Sequence, residues 1–315
     1  VDEKAIAVSV TYALPVYNKA RFLPGVLAAV AAERAATGGE ILCLDDASTD
    51  DSPAILAQSE RCGIRILRFP VNRGVMAATA ALIEAAGKPW LRLVDADDTL
   101  IPGSTARLLS ALDASDAVLA FGRAEAAGLG DRAAGRAAMG GPRRAGEPLR
   151  LRRPVRATLE RQWFNPSMTL IPTAAARATL PWPVDIRTAQ DFWLALQLAA
   201  RGDFLACPFP AAVIAADEAG LSRQKARVFA DTCRLIALAR PRLGQAEARF
   251  ALRRQAARTL RFFRREAPGA LGLSERLRLA AFAAGLGLRE ARAENFLALA
   301  ALYEATLQPG QGFAA

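Results

Sequence analysis

Histidine is absent from the 315 residues. Without it, Ser-His-Asp and Cys-His hydrolases, H-E-x-x-H metalloproteases and histidine-ligated metal centres are excluded in their usual forms. A general base then has to be a carboxylate, with Lys, Tyr or Cys as lesser choices. Cysteine is scarce: Cys43, Cys62, Cys207 and Cys233 lie far apart and never form C-x-x-C. That argues against a zinc site or a disulfide framework and for ordinary reduced thiols. Aromatic residues make up 7% and no base-reading motif accompanies them, so nucleic acid is not an expected partner. No uninterrupted apolar run reaches the roughly 18 to 20 residues of a membrane span. The longest candidate, residues 204–216, is broken by Pro208 and Pro210. With no basic-then-apolar leader either, the expectation is a cytoplasmic protein, with a peripheral position at the inner face of the cell membrane as its variant.

What is there in abundance is alanine, with leucine and arginine next. A hydrophobic fraction of 52% that comes largely from alanine points to a helix-rich core, and 315 residues suffice for a nucleotide-binding core plus an appendage. The net charge of +10 is divided unevenly. Residues 1–122 and 162–223 carry 15 Lys and Arg against 20 Asp and Glu, residues 123–161 carry 10 against 4, and residues 224–315 carry 16 against 7. The presumed core is acidic, whereas the basic excess sits in an insertion and a tail. Such a basic surface suits an anionic lipid or an acidic acceptor.

Periodicity divides the first half into alternating elements. Residues 5–14 read as a buried strand. A helix follows with Phe22, Val26 and Val30 on one face, up to Gly38-Gly39. Residues 40–44 read as a second strand, and Ser52 with Pro53 opens a helix that Gly63 closes. Residues 64–69 form a third strand, 75–86 an alanine-rich helix and 90–94 a fourth strand. A helix near 102–112 and a strand over 117–123 come next. Residues 124–160 hold a basic, Gly- and Ala-rich insertion that reads as mobile, before a strand at 168–171 and a helix from Thr188 to Ala200. Strands separated by single helices predict a mostly parallel, doubly wound sheet, with ligands at the carboxyl ends of its strands. Beyond Gln224 the pattern is helical. There Arg254, Arg258, Arg261 and Arg265 form a stripe opposite Leu252, Ala256, Leu260 and Phe263, either a solvated face or one that lies on an anionic membrane.

The clusters able to do chemistry fall at those strand ends. Pro15-Val16-Tyr17-Asn18 follows the first, Asp45 to Asp50 the second, Asn72-Arg73-Gly74 the third and Asp95-Ala96-Asp97-Asp98 the fourth. Three carboxylates within four residues repel one another and call for a counter-cation. Hard oxygen ligands of this kind suit Mg²⁺ or Mn²⁺, the cations that bridge phosphates. Asp191 lies in the first turn of a helix, where the dipole favours a carboxylate.

Taken in order, the motifs Pro15-Val16-Tyr17-Asn18, Leu44-Asp45-Asp46-Ala47-Ser48-Thr49-Asp50, Asn72-Arg73-Gly74-Val75, Val94-Asp95-Ala96-Asp97-Asp98 and Gln190-Asp191-Phe192-Trp193 resemble the family 2 glycosyltransferases of the GT-A fold. The resemblance covers about residues 5–222. It implies a Rossmann-like GT-A domain over 1–222 and leaves 223–315 as a helical C-terminal extension. It further implies that Pro15 and Asp46 border the nucleotide base, that Asp95 faces the ribose, that Asp97 holds the divalent cation and that Asp191 is the catalytic base. Tyr17, Asn18 and Arg73 join the nucleotide-sugar set. Two departures stand out. Ala78-Thr79-Ala80 occupies the place of an Ala-Arg-Asn triplet, which leaves Arg73 as the candidate for the missing arginine's place, and Asp217 stands where a metal-binding histidine is usual. The implied activity is an inverting, metal-dependent transfer from a nucleoside-diphosphate sugar, UDP-linked first, to a saccharide or lipid-linked acceptor in polysaccharide or glycolipid assembly. The alternatives are a non-catalytic sugar-nucleotide-binding subunit and, below it, a sugar nucleotidyltransferase, which would carry a glycine-rich basic loop after the first strand.

Overall fold

The computed structural model describes residues 9–126, 146–215, 224–285 and 290–307. The chain forms two compact units, Val1–Pro154 with Gln162–Glu218, and Val155–Arg161 with Ala219–Ala315.

The first unit is built on a mixed sheet. Its strands are β1 (Val10–Val16), β2 (Gly39–Asp45), β3 (Arg65–Arg68), β4 (Trp90–Leu93), β5 (Thr99–Leu100), β6 (Leu119–Ala126), β7 (Leu149–Leu151), β8 (Thr169–Pro172) and β9 (Phe204–Ile214). They lie in the order β3-β2-β1-β4-β8-β6-β9-β5, with β7 paired to β9. Strands β3, β2, β1 and β4 are mutually parallel, as helix crossovers require. Those crossovers are α1 (Leu23–Thr37), α2 (Ser52–Glu60) and α3 (Gly74–Ala85). Strand β1 is the centre of this half: Val10, Tyr12, Ala13 and Leu14 are fully buried, as a parallel strand covered on both faces must be. The start expected near residue 5 falls partly outside the described residues.

Alternation breaks after β4. Strand β8 runs antiparallel to both β4 and β6 and follows directly on a short 3-10 turn at Pro166–Met168. The apolar run seen over 204–216 is β9, eleven residues whose two prolines sit at an irregularity in its pairing with β6. Gly122 makes that approach possible, since a Cβ there would lie 2.6 Å from Ala211 Cβ and 2.8 Å from the Phe209 carbonyl. Helices α4 (Ser104–Asp113), α6 (Thr173–Arg177) and α7 (Gln190–Ala199) complete this unit, the short α5 (Val155–Glu160) belonging to the other.

The second unit is helical, with α8 (Lys225–Ala239), α9 (Gln245–Glu266), α10 (Leu273–Ala284) and α11 (Ala293–Glu304). Phe229, Phe262, Phe263 and Tyr303 form its aromatic core, with ring centroids 5.1 to 6.0 Å apart. The arginine stripe divides there. Arg254 donates to the Glu160 carbonyl at 3.2 Å and Arg258 stacks 5.1 Å from Phe229, while Arg261 and Arg265 face solvent. Among the described residues, no helix is long and apolar enough to cross a membrane. All four cysteines are free thiols, three of them buried.

Candidate active site

The carboxyl ends of β1, β2 and β4 lie side by side, at the edge where a sheet of this topology presents its ligand site. After β1 the backbone bends at Asn18, whose φ is 52°. The bend is fastened to the loop after β2. Asn18 Oδ1 accepts from the Thr49 N–H at 2.8 Å, the Lys19 N–H donates to Ser52 Oγ at 2.9 Å and the Ala20 N–H donates to Asp50 at 2.9 Å. Asp45 accepts from the Ser48 N–H at 3.0 Å. These side chains therefore hold two loops together, while Tyr17 remains exposed. Pro15 lies within β1, opposite Leu44.

Asp46 stands at the tip of β2 and closes the start of α3. One carboxylate oxygen accepts from the Arg73 N–H at 2.7 Å and the other from the Gly74 N–H at 2.8 Å, where the helix dipole favours negative charge. Burial raises its pKa, and these two bonds and the nearby Arg187 oppose the rise. Arg187 donates to the Asn72 carbonyl at 2.8 Å and to the Asn72 side chain. A guanidinium therefore does reach this strand end, from a segment that shows no motif. The Arg73 side chain stacks on Phe69, 4.7 Å from the ring centre.

The acidic tip is held by Asn165 and Ser167. The Asp95 N–H donates to Ser167 Oγ at 2.9 Å, and the Ser167 hydroxyl donates to Asp98 at 2.7 Å. Asn165 Nδ2 donates to Asp95 at 2.8 Å, and the Ala215 N–H donates to the other oxygen of Asp98 at 3.1 Å. Burial, followed by the negative charge of Asp97, lifts the Asp98 carboxyl to about 7. Asp95 is pushed well above its ordinary range by shielding from water, then by Asp98, Asp97 and Asp191. Asp97 is met by a cation of the chain itself: Lys19 Nζ lies 2.6 Å from its Oδ2, and both side chains are 18% exposed.

Asp191 opens α7. Its Oδ1 accepts from the Phe192 N–H at 2.6 Å and its Oδ2 accepts from Gln162 Nε2. Shielding from water raises its carboxyl to about 6 against those backbone bonds. Gln162 and Asn165, three residues apart, thus touch Asp191 and Asp95 respectively. Rings anchor that bridging segment: Phe164 lies 5.2 Å from Phe121 and 6.0 Å from Phe204. Trp182 and Trp193 are buried, so packing accounts for them.

Beneath the tip lies a buried charge network. Arg92, fully buried in β4, donates to Thr105 Oγ1, to the Ser167 carbonyl at 3.2 Å and to the Ala211 carbonyl at 2.9 Å. Glu33, on the inward face of α1, lies 3.6 Å from it and accepts from the Gly103 N–H at 2.6 Å and the Thr105 N–H at 2.9 Å. Sequence reasoning passed over Lys19, Glu33, Arg92, Gln162, Asn165, Ser167 and Arg187. A signal existed for two of them: Glu33 extends the buried 23, 26, 30 face by one turn, and Arg92 interrupts an apolar strand. Asp217, the expected partner in metal binding, lies outside the described residues.

Residues 11–178, just over half of the chain, match the family described as Glycosyl transferase family 2. Among curated proteins, the succinoglycan biosynthesis protein ExoO of Rhizobium meliloti (strain 1021) is 30% identical over 123 residues, a stretch that takes in 39% of this chain and 35% of that relative's length. Among solved structures, S. aureus TarS 1-349 in complex with UDP-GlcNAc aligns with a TM-score of 0.64 at 13% identity, over 94% of this chain and 92% of that one. The mannosyltransferase PcManGT from Pyrobaculum calidifontis, in complex with GDP-Man and Mn²⁺, aligns with a TM-score of 0.55 at 16% identity, over 94% and 85%. At such identities these two establish the fold, a GT-A type mixed α/β sheet followed by helices.

Proposed function

The chain belongs to glycosyl transferase family 2, and from that premise we propose that it moves a sugar from a nucleoside-diphosphate donor, UDP-linked first, to an acceptor hydroxyl with inversion. The observation that carries this reading is the bridge 162–165, which ties Asp191 to one side and the Asp95–Asp98 tip to the other. A base and a diphosphate-facing acidic tip then share one crevice. Pro15, Tyr17 and Asp46 border the base, Asp95 faces the ribose, and Asn18 and Arg73 shape the loops around the donor.

A divalent cation, Mn²⁺ or Mg²⁺, fits the donor set. Asp97 offers hard oxygens, and its Oδ2 stands where a positive charge is already accepted, as the Lys19 ammonium at 2.6 Å demonstrates. Among the described residues no three ligating side chains gather, and such ions commonly take one or two carboxylates and complete their shell with phosphates and water. Asp97 would hold it, with Asp217 as second ligand. When bound, the cation neutralises the departing diphosphate.

The chemistry left to the protein is proton removal and positioning. Asp191 takes the proton of the acceptor O–H. The freed oxygen bonds to the anomeric carbon while the bond to the diphosphate oxygen breaks, and the nucleoside diphosphate leaves with the electron pair. A carboxyl near 6 is mostly ionised at neutral pH and is a stronger base than an ordinary aspartate. A single in-line displacement inverts the anomeric centre.

The name of the relative from Rhizobium meliloti supports polysaccharide assembly as the setting, with a saccharide or lipid-linked saccharide as acceptor. Contact with an anionic membrane is supported by Leu273 and Leu277, one turn apart on α10 and exposed, in a unit that also exposes Arg261, Arg264, Arg265 and Arg276. The test of the catalytic assignment is Asp191→Asn: nucleotide binding by calorimetry should persist, while transfer falls by about 10² or more. Normal transfer by that variant would remove Asp191 from the role.

A further inference from the structure

The three carboxylates that end β4 call for a counter-charge, and the chain supplies one. Lys19 sits at the mouth of the loop after β1, and its backbone is pinned there by the bond from its N–H to Ser52 Oγ at 2.9 Å. From that fixed base the side chain passes Phe22, with Nζ 5.7 Å from the ring centre, and ends on Asp97 Oδ2 at 2.6 Å. Asp95 and Asp98 are satisfied otherwise, by Asn165, Ser167 and the Ala215 N–H. Asp97 is the member of the trio whose charge is balanced by a cation.

We propose that Lys19 is a resident counter-cation that holds the divalent ion's place on Asp97, so that the metal must displace its ammonium to bind, and that in the metal's absence this ammonium is the positive charge offered to the donor's diphosphate. The inference rests on the glycosyltransferase reading for its ligand. An ammonium and a divalent ion cannot share one carboxylate oxygen at contact distance, so the two compete. If the pair is closed about nine-tenths of the time, the apparent metal affinity is reduced about tenfold, because only the open fraction is competent. The same ammonium attracts a diphosphate electrostatically. One substitution should therefore move two affinities in opposite directions, which general damage to the site would not do.

The experiment uses the full chain as wild type, Lys19→Met, Lys19→Gln and Lys19→Arg. Mn²⁺ is titrated by electron paramagnetic resonance of the free ion, alone and with saturating UDP, and UDP is titrated by calorimetry in EDTA. Lys19→Met and Lys19→Gln should bind Mn²⁺ about tenfold more tightly and UDP in EDTA several-fold more weakly, while Lys19→Arg stays near wild type in both. Unchanged or weaker Mn²⁺ binding by the Met and Gln variants overturns the proposal, as does an absence of Mn²⁺ binding in every protein. Failure of the underlying reading looks different: the wild type then binds neither UDP nor GDP with or without metal, while the Mn²⁺ titration without nucleotide still decides the role of Lys19.

Discussion

Replacing Glu33 by leucine removes the carboxylate that faces a fully buried guanidinium. Glu33 accepts from the Gly103 N–H, the Thr105 N–H and the Thr105 hydroxyl, and lies 3.6 Å from Arg92. Burial lowers the Arg92 pKa to about 10, so the group remains charged at neutral pH and would be left uncompensated. Breaking one side of a buried pair costs about 3–5 kcal/mol, and each orphaned N–H costs about 1–3 kcal/mol with strong overlap between the two. A loss of about 4 kcal/mol follows for Glu33→Leu. The double variant Glu33→Leu with Arg92→Met removes both charges and should lose clearly less than the sum of the singles, with a coupling of about 2 kcal/mol or more. Guanidinium unfolding followed by tryptophan fluorescence is the suitable assay, because Trp90, Trp163, Trp182 and Trp193 all belong to the first unit and report on it alone. A single-variant loss under about 1 kcal/mol, or simple additivity, would refute the argument that this pair is locked in the core.

Other outcomes follow from the same contacts. Gly39 has a φ of 111°, and a Cβ there would come within 2.0 Å of the Val10 carbonyl oxygen; Gly39→Ala should cost about 2 kcal/mol or more in the same assay, and wild-type stability would count against the described β1–β2 entry. With Asp191 as the proposed base, transfer should hold above about pH 6 and fall tenfold per unit below it; a flat profile down to pH 5 would contradict a base with that pKa. Sedimentation with phosphatidylglycerol vesicles should be lost at high salt and in Leu273→Asp with Leu277→Asp, and binding unaffected by either would place the contact elsewhere.

The first four strands were legible because β1, β2 and β4 read as apolar runs and β3, at the sheet edge, as a short run between turn residues, with loop-satisfying residues such as Asp45 following them. In the second half, the strands expected over 117–123 and 168–171 are β6 and β8, but β7, β9 and the antiparallel pairings were not legible. Strand β9 carries Pro208 and Pro210, which speak against a strand unless a pairing irregularity and a bare Gly122 receive them. The acidic tip could be read from composition alone, but its support could not. Asn165 and Ser167 meet Asp95 and Asp98 from about seventy residues away, and nothing periodic marks such a pairing. Glu33 and Arg92 did leave a signal, a charge on an apolar face, but its meaning as a buried pair shows only once the partner is seen. Lys19 adjoins a motif, yet only the fold brings it to Asp97.

The most direct test of the account is calorimetric titration of UDP, GDP, dTDP and CDP into the full chain, each with Mn²⁺ and with EDTA. The account predicts that one nucleotide binds much more tightly with Mn²⁺, and that Asp97→Ala removes the metal-dependent part. Absence of binding by all four under both conditions would contradict it and leave a sugar-transferase fold without its donor site.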